Sequence, residues 1–312
     1  SIDEININHK YSSVYQKYDQ LVFDDSALNF SSLNHENIFF NPILVTTDSS
    51  GKYNLIAGFK QVKGSYRHEI KGFPAYILSS DLNDLETLKS YIHFLKLNSL
   101  TVIDRCLFLN DLLSMKIDKT TIRNSIMTLL GFSSESILLK KCLDASRLPL
   151  QLIDYSREKC FSLKQLSNLF AYPKELLITF FELSKDFHFT ARNSLIFLSY
   201  FNDLMKRDSL TVTSLLSKLE IHNIINSEFN HTQRTALLSQ KLKQHLFPTL
   251  APINQRINNI VDSLSLPSNI NINWDETLEN KEINITCKIK HSDDFKVLSK
   301  IGNSSEYKTG LN

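Results

Sequence analysis

The sequence "NPILVTTDSSGKYNLIAG" places two β-rich runs on either side of the turn signal "DSSGK". Gly51 can take the positive φ that a tight turn needs, so the pattern predicts an antiparallel hairpin. Helical spacing follows, because the apolar residues Val62, Tyr66 and Ile70 recur at i, i+4 and i+8. "FPAYILSSD" then reads as a further strand. This order predicts a small α+β domain over residues 1–80.

Residues 81–265 have the apolar spacing of a mainly helical domain. One predicted helix face carries Leu85, Leu88, Tyr91, Ile92 and Leu95. A second helix is predicted from Val102 to Met115, and Pro173 is expected to begin another, since the N–H that proline lacks is not needed in a first turn. The alternating "INITCKIKHS" predicts a strand, within a small C-terminal segment of strand and helix over residues 266–302. Residues 303–312 are predicted to be a disordered tail.

Residues 120–147 have the outline of a helix-turn-helix. The first helix is predicted to end near Gly131, and the second to begin at Ser133 or Ser134, whose hydroxyl can accept from the first N–H groups. Three apolar residues are predicted to pack inward, namely Ile137, Leu138 and Leu143. The amino end and outer face of the second helix then carry the candidate DNA-contacting residues Ser133, Ser134, Ser136, Lys140 and Lys141.

The charge of the whole chain does not indicate a nucleic-acid partner, but one segment has an excess of basic residues. The whole chain has 35 Lys and Arg against 33 Asp and Glu, so it has no strong overall field. Between Asp111 and Lys164, nine basic residues stand against six acidic ones. Helical hairpins of a protein-interaction scaffold show the same pattern, so that alternative stays open.

Several classes of site are absent from the sequence. The four cysteines have no CxxC or zinc spacing, so buried reduced thiols are expected at Cys106, Cys142, Cys160 and Cys287. No run reaches the ~18 apolar residues of a membrane span. Because "SIDEININHK" lacks the apolar core of a signal peptide, a cytoplasmic protein with no membrane partner is expected. The motifs GxxxxGK(S/T), HExxH and GxSxG are absent, so the sequence predicts neither an enzyme nor a metal site.

The segment from Tyr53 to Leu78 resembles the N-terminal domain of the ParB partition-protein family, whose fold is shared with sulfiredoxin. In that family a strand ends in glycine and leads into a basic G-E-R-R-x-R-A-A box, a helix, and a strand that starts with an apolar residue and proline. Here "GFKQVKGS" corresponds to the box, and Pro74 lies at the family's spacing. "NPILV" and "LTVIDRC" resemble flanking segments, and the predicted helix-turn-helix stands where the family has its central DNA-binding domain. The resemblance covers roughly residues 35–185.

In the family, this box and an E-N-x-x-R motif together hold cytidine triphosphate. The resemblance therefore implies candidate phosphate-binding residues at Gly58, Lys60, Gln61, Lys63 and Gly64. Lys60, Gln61 and Lys63 replace arginines, Phe59 takes the acidic position, and "HFLKL" at His93–Leu97 lacks the second motif. A lysine meets a phosphate as a point charge, without arginine's planar fork. A degenerate site that does not hydrolyse nucleotide is implied, with residual nucleoside triphosphate binding left open.

Other interpretations of the same residues remain. The basic residues also fit a solvated helix face beside a structural glycine turn, a set made of Lys60, Lys63, Arg67 and Lys71. Sulfiredoxin chemistry is excluded, because Phe59 follows Gly58 where that enzyme needs a reactive cysteine. The resemblance implies a DNA-binding homodimer that acts in DNA segregation, nucleoid organisation or transcription regulation. The alternatives are a scaffold that keeps the fold without these ligands, and a residual nucleoside triphosphatase.

Overall fold

The computed structural model describes residues 5–9, 12–22, 42–48, 50–67, 72, 74–95, 100–263, 266, 269–275, 278–280 and 282–289. The chain divides into two compact units, unit 1 over residues 1–173 and unit 2 over residues 174–312. Both contain helices and strands, which agrees with the predicted α+β class. The predicted boundaries at residues 80 and 265 stay predictions, and the tail predicted over 303–312 lies outside the described residues.

Unit 1 places a small sheet before a series of helices. Its elements are β1 (Ile5–Asn6), α1 (Ser12–Val22), β2 (Ile43–Thr47), β3 (Tyr53–Ala57), α2 (Phe59–Arg67), β4 (Ala75–Leu78), α3 (Asp84–Phe94), α4 (Val102–Ser114), α5 (Lys119–Thr121), a π-helical segment (Ile122–Ile126), α6 (Ser136–Ala145), α7 (Leu150–Glu158) and α8 (Leu163–Leu169).

The predicted hairpin forms the centre of the sheet, whose strand order is β1-β3-β2-β4. β2 and β3 pair antiparallel, with Val45 opposite Leu55. In the turn, Gly51 has a φ of +80°, and the Asp48 N–H donates to the Lys52 carbonyl at 2.8 Å. β1 joins β3 and β4 joins β2, both in parallel. The hairpin prediction is therefore confirmed, including its turn glycine.

Helix α2 begins directly at the end of β3. Gly58 has a φ of +99°, which lets the chain reverse within one residue. The Val62 N–H then donates to the Gly58 carbonyl at 3.0 Å, which closes the first helical turn. The sequence predicted a helix from Val62 to Ile70, whereas the observed helix starts earlier, at Phe59, because Phe59 is also buried. Residues 68–71 lie outside the described part of the chain.

The predicted helices after the sheet are largely confirmed. α3 buries Leu88, Tyr91 and Ile92 on the predicted face. α4 begins at Val102 as predicted and ends at Ser114, one residue before the predicted end. These helices pack their apolar stripes inward and supply much of the core of unit 1.

The segment predicted to be a helix-turn-helix differs from its prediction in two places. α6 begins at Ser136 rather than at Ser133 or Ser134, and its N-cap Glu135 makes no side-chain capping hydrogen bond. The Ser133 hydroxyl instead donates to the Glu135 carboxylate at 3.0 Å. Ile137 was predicted to pack inward, but it is 59% exposed. The buried face of α6 comprises Leu139, Cys142, Leu143 and Ala145, and Ile137 lies on the opposite side of the helix.

Unit 2 is a helical array followed by a β-hairpin. Its elements are α9 (Lys174–Leu183), α10 (Ala191–Asp208), α11 (Val212–Lys218), α12 (Ile221–Ile225), α13 (His231–Leu246), α14 (Leu250–Ser263), β5 (Ile270–Trp274) and β6 (Ile283–Cys287). Pro173 precedes α9 as predicted, and β6 confirms the predicted strand, while β5 was not predicted. No helix among the described residues, including the 18-residue α10, is apolar over a length that spans a bilayer.

The four cysteines are all free thiols. Cys106 and Cys142 are buried, as expected. The expectation is wrong for Cys160, which is exposed just beyond the end of α7, and Cys287 in β6 is half-buried. The two buried thiols lie on the inward faces of α4 and α6. The spacing of the cysteines along the sequence did not predict which of them would be buried.

Replacing Gly58 by alanine should destabilise the protein strongly. An added Cβ would lie 2.5 Å from both the Gln61 Oε1 and the Ile43 Cγ2, and the φ of +99° is itself costly for alanine. We expect a loss of about 3 kcal/mol in the free energy of unfolding, measured by urea denaturation.

Gly51→Ala is the matched control, because Gly51 also has a positive φ but has no atom within 4 Å of the added Cβ among the described residues. Its expected loss is about 1 kcal/mol, the cost of the backbone conformation alone. If both substitutions lowered the free energy of unfolding equally, the close packing of Gly58 against Ile43 would not be the cause of the destabilisation.

Candidate nucleic-acid interface

The amino end of α2, where the phosphate-binding residues were predicted, already holds a carboxylate from the chain itself. The Gly58 N–H donates to Asp19 Oδ1 at 3.1 Å, and the Phe59 N–H donates to Asp19 Oδ2 at 2.9 Å. Asp19 lies on α1 and is fully buried. Backbone N–H groups at the start of a helix are the donors that a bound phosphate would use. At α2 these two donors are satisfied internally.

The burial of Asp19 also affects its protonation. Burial raises the pKa of Asp19, and hydrogen bonds from the N–H groups of Gly58, Phe59 and Lys60, with the charge of Lys60, partly offset that rise. A phosphate at the same place would have to displace the Asp19 carboxyl group from both N–H donors. Asp19 therefore blocks the site by occupancy.

The remaining predicted phosphate-binding residues differ in exposure. Gln61 is buried, Lys60 is half-buried, and Lys63 is exposed. Gly64 lies within α2. Of the predicted second-motif segment, His93 is exposed on α3 and residues 96–97 lie outside the described part. The alternative of a solvated basic face fits Lys63, while Lys60 contributes to the surroundings of Asp19.

Sequence reasoning missed Asp19 because it did not predict α1. The signal was present, since Tyr15, Tyr18 and Val22 recur at helical spacing in "SSVYQKYDQLV". Nothing in that pattern indicates that the acid beside Tyr18 would reach a backbone 39 residues away.

Asp19→Ala should destabilise the fold. The substitution leaves the buried N–H groups of Gly58 and Phe59 without this acceptor, and we expect a loss of about 3 kcal/mol in the free energy of unfolding. Asp19→Asn keeps one acceptor oxygen but turns its NH₂ towards the other N–H donor, and should cost about 2 kcal/mol. Urea denaturation measures both. A larger loss for asparagine than for alanine would contradict this assignment of the hydrogen bonds.

The pH dependence of stability gives a separate test of Asp19. Because its folded pKa is raised above the ordinary 3.8, the folded protein holds this proton to higher pH than the unfolded chain does. The stability of the wild type relative to Asp19→Asn should therefore fall as the pH rises above 3.8 and level off beyond the raised pKa. A difference that grows with pH over this range would mean that the pKa is lowered.

A second candidate site is a groove between α5 with its π-helical continuation and α6. The groove has a volume of about 490 Å³. Its lining residues are Lys119, Thr120, Arg123, Ser136, Leu139, Lys140, Leu143, Asp144 and Arg147. Four of these side chains are cationic and one is anionic, so the groove has a local excess of positive charge. Two cations come from the first element and two come from α6 and the residues after it.

The cations of the groove are largely available to a ligand. Lys119 and Lys140 are exposed, and neither forms an ion pair within the described residues. Arg147 lies 3.8 Å from the Asp144 carboxylate, an exposed contact that contributes little. The Arg123 Nε donates to the Asn124 side chain at 3.1 Å. The single acid of the groove is therefore only weakly engaged with one of the four cations.

Local structure fixes the two sides of the groove. The Asp118 carboxylate accepts from the N–H groups of Thr120 and Thr121 at 2.9 Å, which caps α5. The Met127 N–H donates to the Ile122 carbonyl at 3.0 Å, which makes the wider π-helical turn. On the other side, the inward face of α6 forms the apolar floor with Leu139 and Leu143.

The loop between the two sides is held to α4. Gly131 has a φ of +78°, which lets the chain reverse after the π-helical segment. The Arg105 Nη1 donates to the Leu130 carbonyl at 3.4 Å, and its Nε donates to the Leu100 carbonyl at 3.2 Å. Arg105 thereby connects the loop to the start of α4.

The structure brings together some of the predicted DNA-contacting residues. Ser136 and Lys140 line the groove. Ser133 and Ser134 lie in the loop before α6, and Lys141 is exposed on α6 but does not line the groove. Lys119, Arg123 and Arg147 contribute to the excess of basic residues between Asp111 and Lys164. The sequence did not predict that they line the same groove as Lys140. No group of three or more metal-ligating side chains occurs in the part of the chain that the structure describes.

No protein-family model matches this sequence, and no curated protein matches it. Among solved structures, the chain is similar to the C-terminally truncated chromosome-partitioning protein ParB from Caulobacter crescentus, which is complexed to the centromeric parS site. The TM-score is 0.33 and the identity 18%, over 54% of this chain and 89% of that chain. A TM-score this low does not establish a shared fold, so the function has to be argued from the geometry of the groove.

Proposed function

We propose that the protein binds duplex DNA by its sugar-phosphate backbone, through the groove between α5 and α6. The observation that carries this proposal is the convergence of Lys119, Arg123, Lys140 and Arg147 on one groove that contains a single carboxylate. Backbone contacts account for most of the affinity of proteins for DNA, and lysine and arginine are their main donors. The overall charge of +2 gives the chain no strong field of its own, so the proposal depends on this local cluster.

The hydroxyl groups of the groove can also donate hydrogen bonds to a phosphate backbone. Thr120 lies on α5 and Ser136 is the first residue of α6, so a hydroxyl donor stands on each side. Serine and threonine hydroxyls commonly donate to phosphate oxygens between flanking cations. The apolar floor of Leu139 and Leu143 excludes water beneath the bound strand. The groove is thus suited to a phosphate backbone, with α6 as the element nearest the bases.

The proposal gives the amino end of α2 no catalytic role. With Asp19 accepting from Gly58 and Phe59, we expect no cytidine triphosphate turnover and no nucleotide cofactor at this site. The protein then acts as a DNA-binding protein rather than an enzyme. DNA segregation, nucleoid organisation or transcription regulation is the corresponding process, and a homodimer the expected assembly, on the resemblance given by the sequence.

Lys119→Ala and Lys140→Ala should each weaken duplex DNA binding and lower the slope of log affinity against log salt by about one unit. The reason is that each substitution removes one phosphate contact and one released counterion. Combining them should lower the slope by about two units. Fluorescence anisotropy with random and genomic duplexes over a salt series measures both quantities.

Lys164→Ala is the matched control, because Lys164 is an exposed lysine of α8, also in unit 1, and does not line the groove. It should leave affinity and slope unchanged. If Lys119→Ala and Lys140→Ala bind DNA as the wild type does, the groove is not the interface and the scaffold alternative gains support.

A further inference from the structure

Unit 2 contains a cleft of about 570 Å³ between α13 and α14 that the proposed DNA groove does not involve. Five carboxamide side chains line it, namely Gln240, Gln244, Asn254, Gln255 and Asn258. A carboxamide offers both a donor and an acceptor in one plane. Their concentration in a single cleft suits a neutral ligand with paired donors and acceptors along one edge.

The carboxamides of the cleft are only partly engaged with one another. Gln240 Nε2 donates to Gln255 Oε1 at 3.4 Å, a long bond that joins α13 to α14. Gln244 and Asn258 make no side-chain hydrogen bond within the described residues. Asn254 is held by a residue that does not line the cleft, because the Trp274 indole N–H of β5 donates to the Asn254 Oδ1 at 2.8 Å. Two carboxamides are thus available to a ligand beside one whose orientation is fixed.

An aromatic wall completes the cleft. Phe247 follows α13, is 42% exposed, and meets the ring of Tyr200 edge to face, with ring centroids 6.3 Å apart. The contact uses only part of the Phe247 surface, so the ring can still receive a flat partner. Exposed aromatic rings that stack on planar groups are a common means of holding an unpaired base.

The lining of the cleft has no net charge, which indicates an uncharged ligand. Lys243 and Asp262 both line it, one cation against one anion. A site for a phosphate or a carboxylate would carry a net positive charge, as the groove of unit 1 does. The cleft therefore suits an uncharged planar group, with Lys243 as the nearest cation for any phosphate attached to it.

We propose that this cleft binds an unpaired adenine base. Glutamine and asparagine form bidentate hydrogen bonds with adenine, in which the side-chain oxygen accepts from the amino group and the side-chain NH₂ donates to a ring nitrogen. The volume of about 570 Å³ fits a nucleoside. The base stacks on Phe247, and Gln244 and Asn258 contact its edge. The same chemistry is presented by a free adenine nucleotide and by a single-stranded nucleic acid.

Calorimetric titration with adenosine, AMP and a short oligo-dA tests this inference, with cytidine and ribose as comparison ligands. We expect saturable adenosine binding at least about tenfold tighter than cytidine, from loss of the bidentate pair. Trp274, the only tryptophan of the chain, should change its fluorescence with the same midpoint, because it is bonded to Asn254. Oligo-dA that binds much more tightly than AMP identifies the single strand as the source, and the reverse order identifies the nucleotide.

Gln244→Ala should weaken adenosine binding by about tenfold. The exposed Asn223→Ala on α12 of the same unit should leave it unchanged. Oligo-dA is also titrated in the Lys140→Ala variant, so that binding in the groove is separated from binding in the cleft. Absence of adenosine binding at millimolar concentration overturns the inference, as does an affinity for ribose or cytidine equal to that for adenosine. Loss of duplex binding in Lys140→Ala with adenosine binding retained supports both proposals independently.

Discussion

The Asp19 carboxyl group bonds α1 to the turn at Gly58 between β3 and α2, and other hydrogen bonds connect α1 to further helices of unit 1. The Tyr91 hydroxyl of α3 donates to the Tyr15 carbonyl at 2.9 Å, and the Tyr18 hydroxyl donates to Asp111 of α4 at 2.7 Å. A single short helix is therefore hydrogen-bonded to the turn after β3, to the first residue of α2, and to α3 and α4. Removing a buried acceptor at its centre would leave donors unsatisfied in the core, which proteins rarely tolerate.

The turn at Gly58 in unit 1 has its N–H donors occupied by the protein itself. Gly58 turns the chain sharply, as a phosphate-binding loop would, but the carboxyl group that its N–H meets is that of Asp19. Exposed positive charge is found instead in the groove between α5 and α6, which Lys119 and Lys140 both line. The cleft of unit 2 is different again, because its carboxamides and aromatic ring suit a neutral group.

The sequence predicted best those features that depend on neighbouring residues. The hairpin around Gly51 and the helix face of Leu88 follow from turn chemistry and periodicity, and both are confirmed. The start of α6 was wrong, because Ser133 bonds to Glu135 instead of capping the helix, a choice between two local hydrogen bonds that composition cannot decide. The hydrogen bonds of Asp19 and the placement of Lys119 and Lys140 in one groove depend on tertiary contacts, which a single sequence does not reveal. The glutamines and asparagines of α13 and α14 are present in the sequence, but their spacing matches no known motif that would have predicted a binding site.

The most direct test of the account is an amide NMR titration of the wild-type protein with duplex DNA, repeated in the presence of cytidine triphosphate. The account predicts that DNA shifts the resonances of residues 119–123, Ser136, Lys140 and Arg147, and that the nucleotide leaves those of Gly58 and Phe59 unchanged, because their N–H groups remain bonded to Asp19. Shifts of Gly58 and Phe59 on addition of the nucleotide, with no change in the groove on addition of DNA, would contradict it.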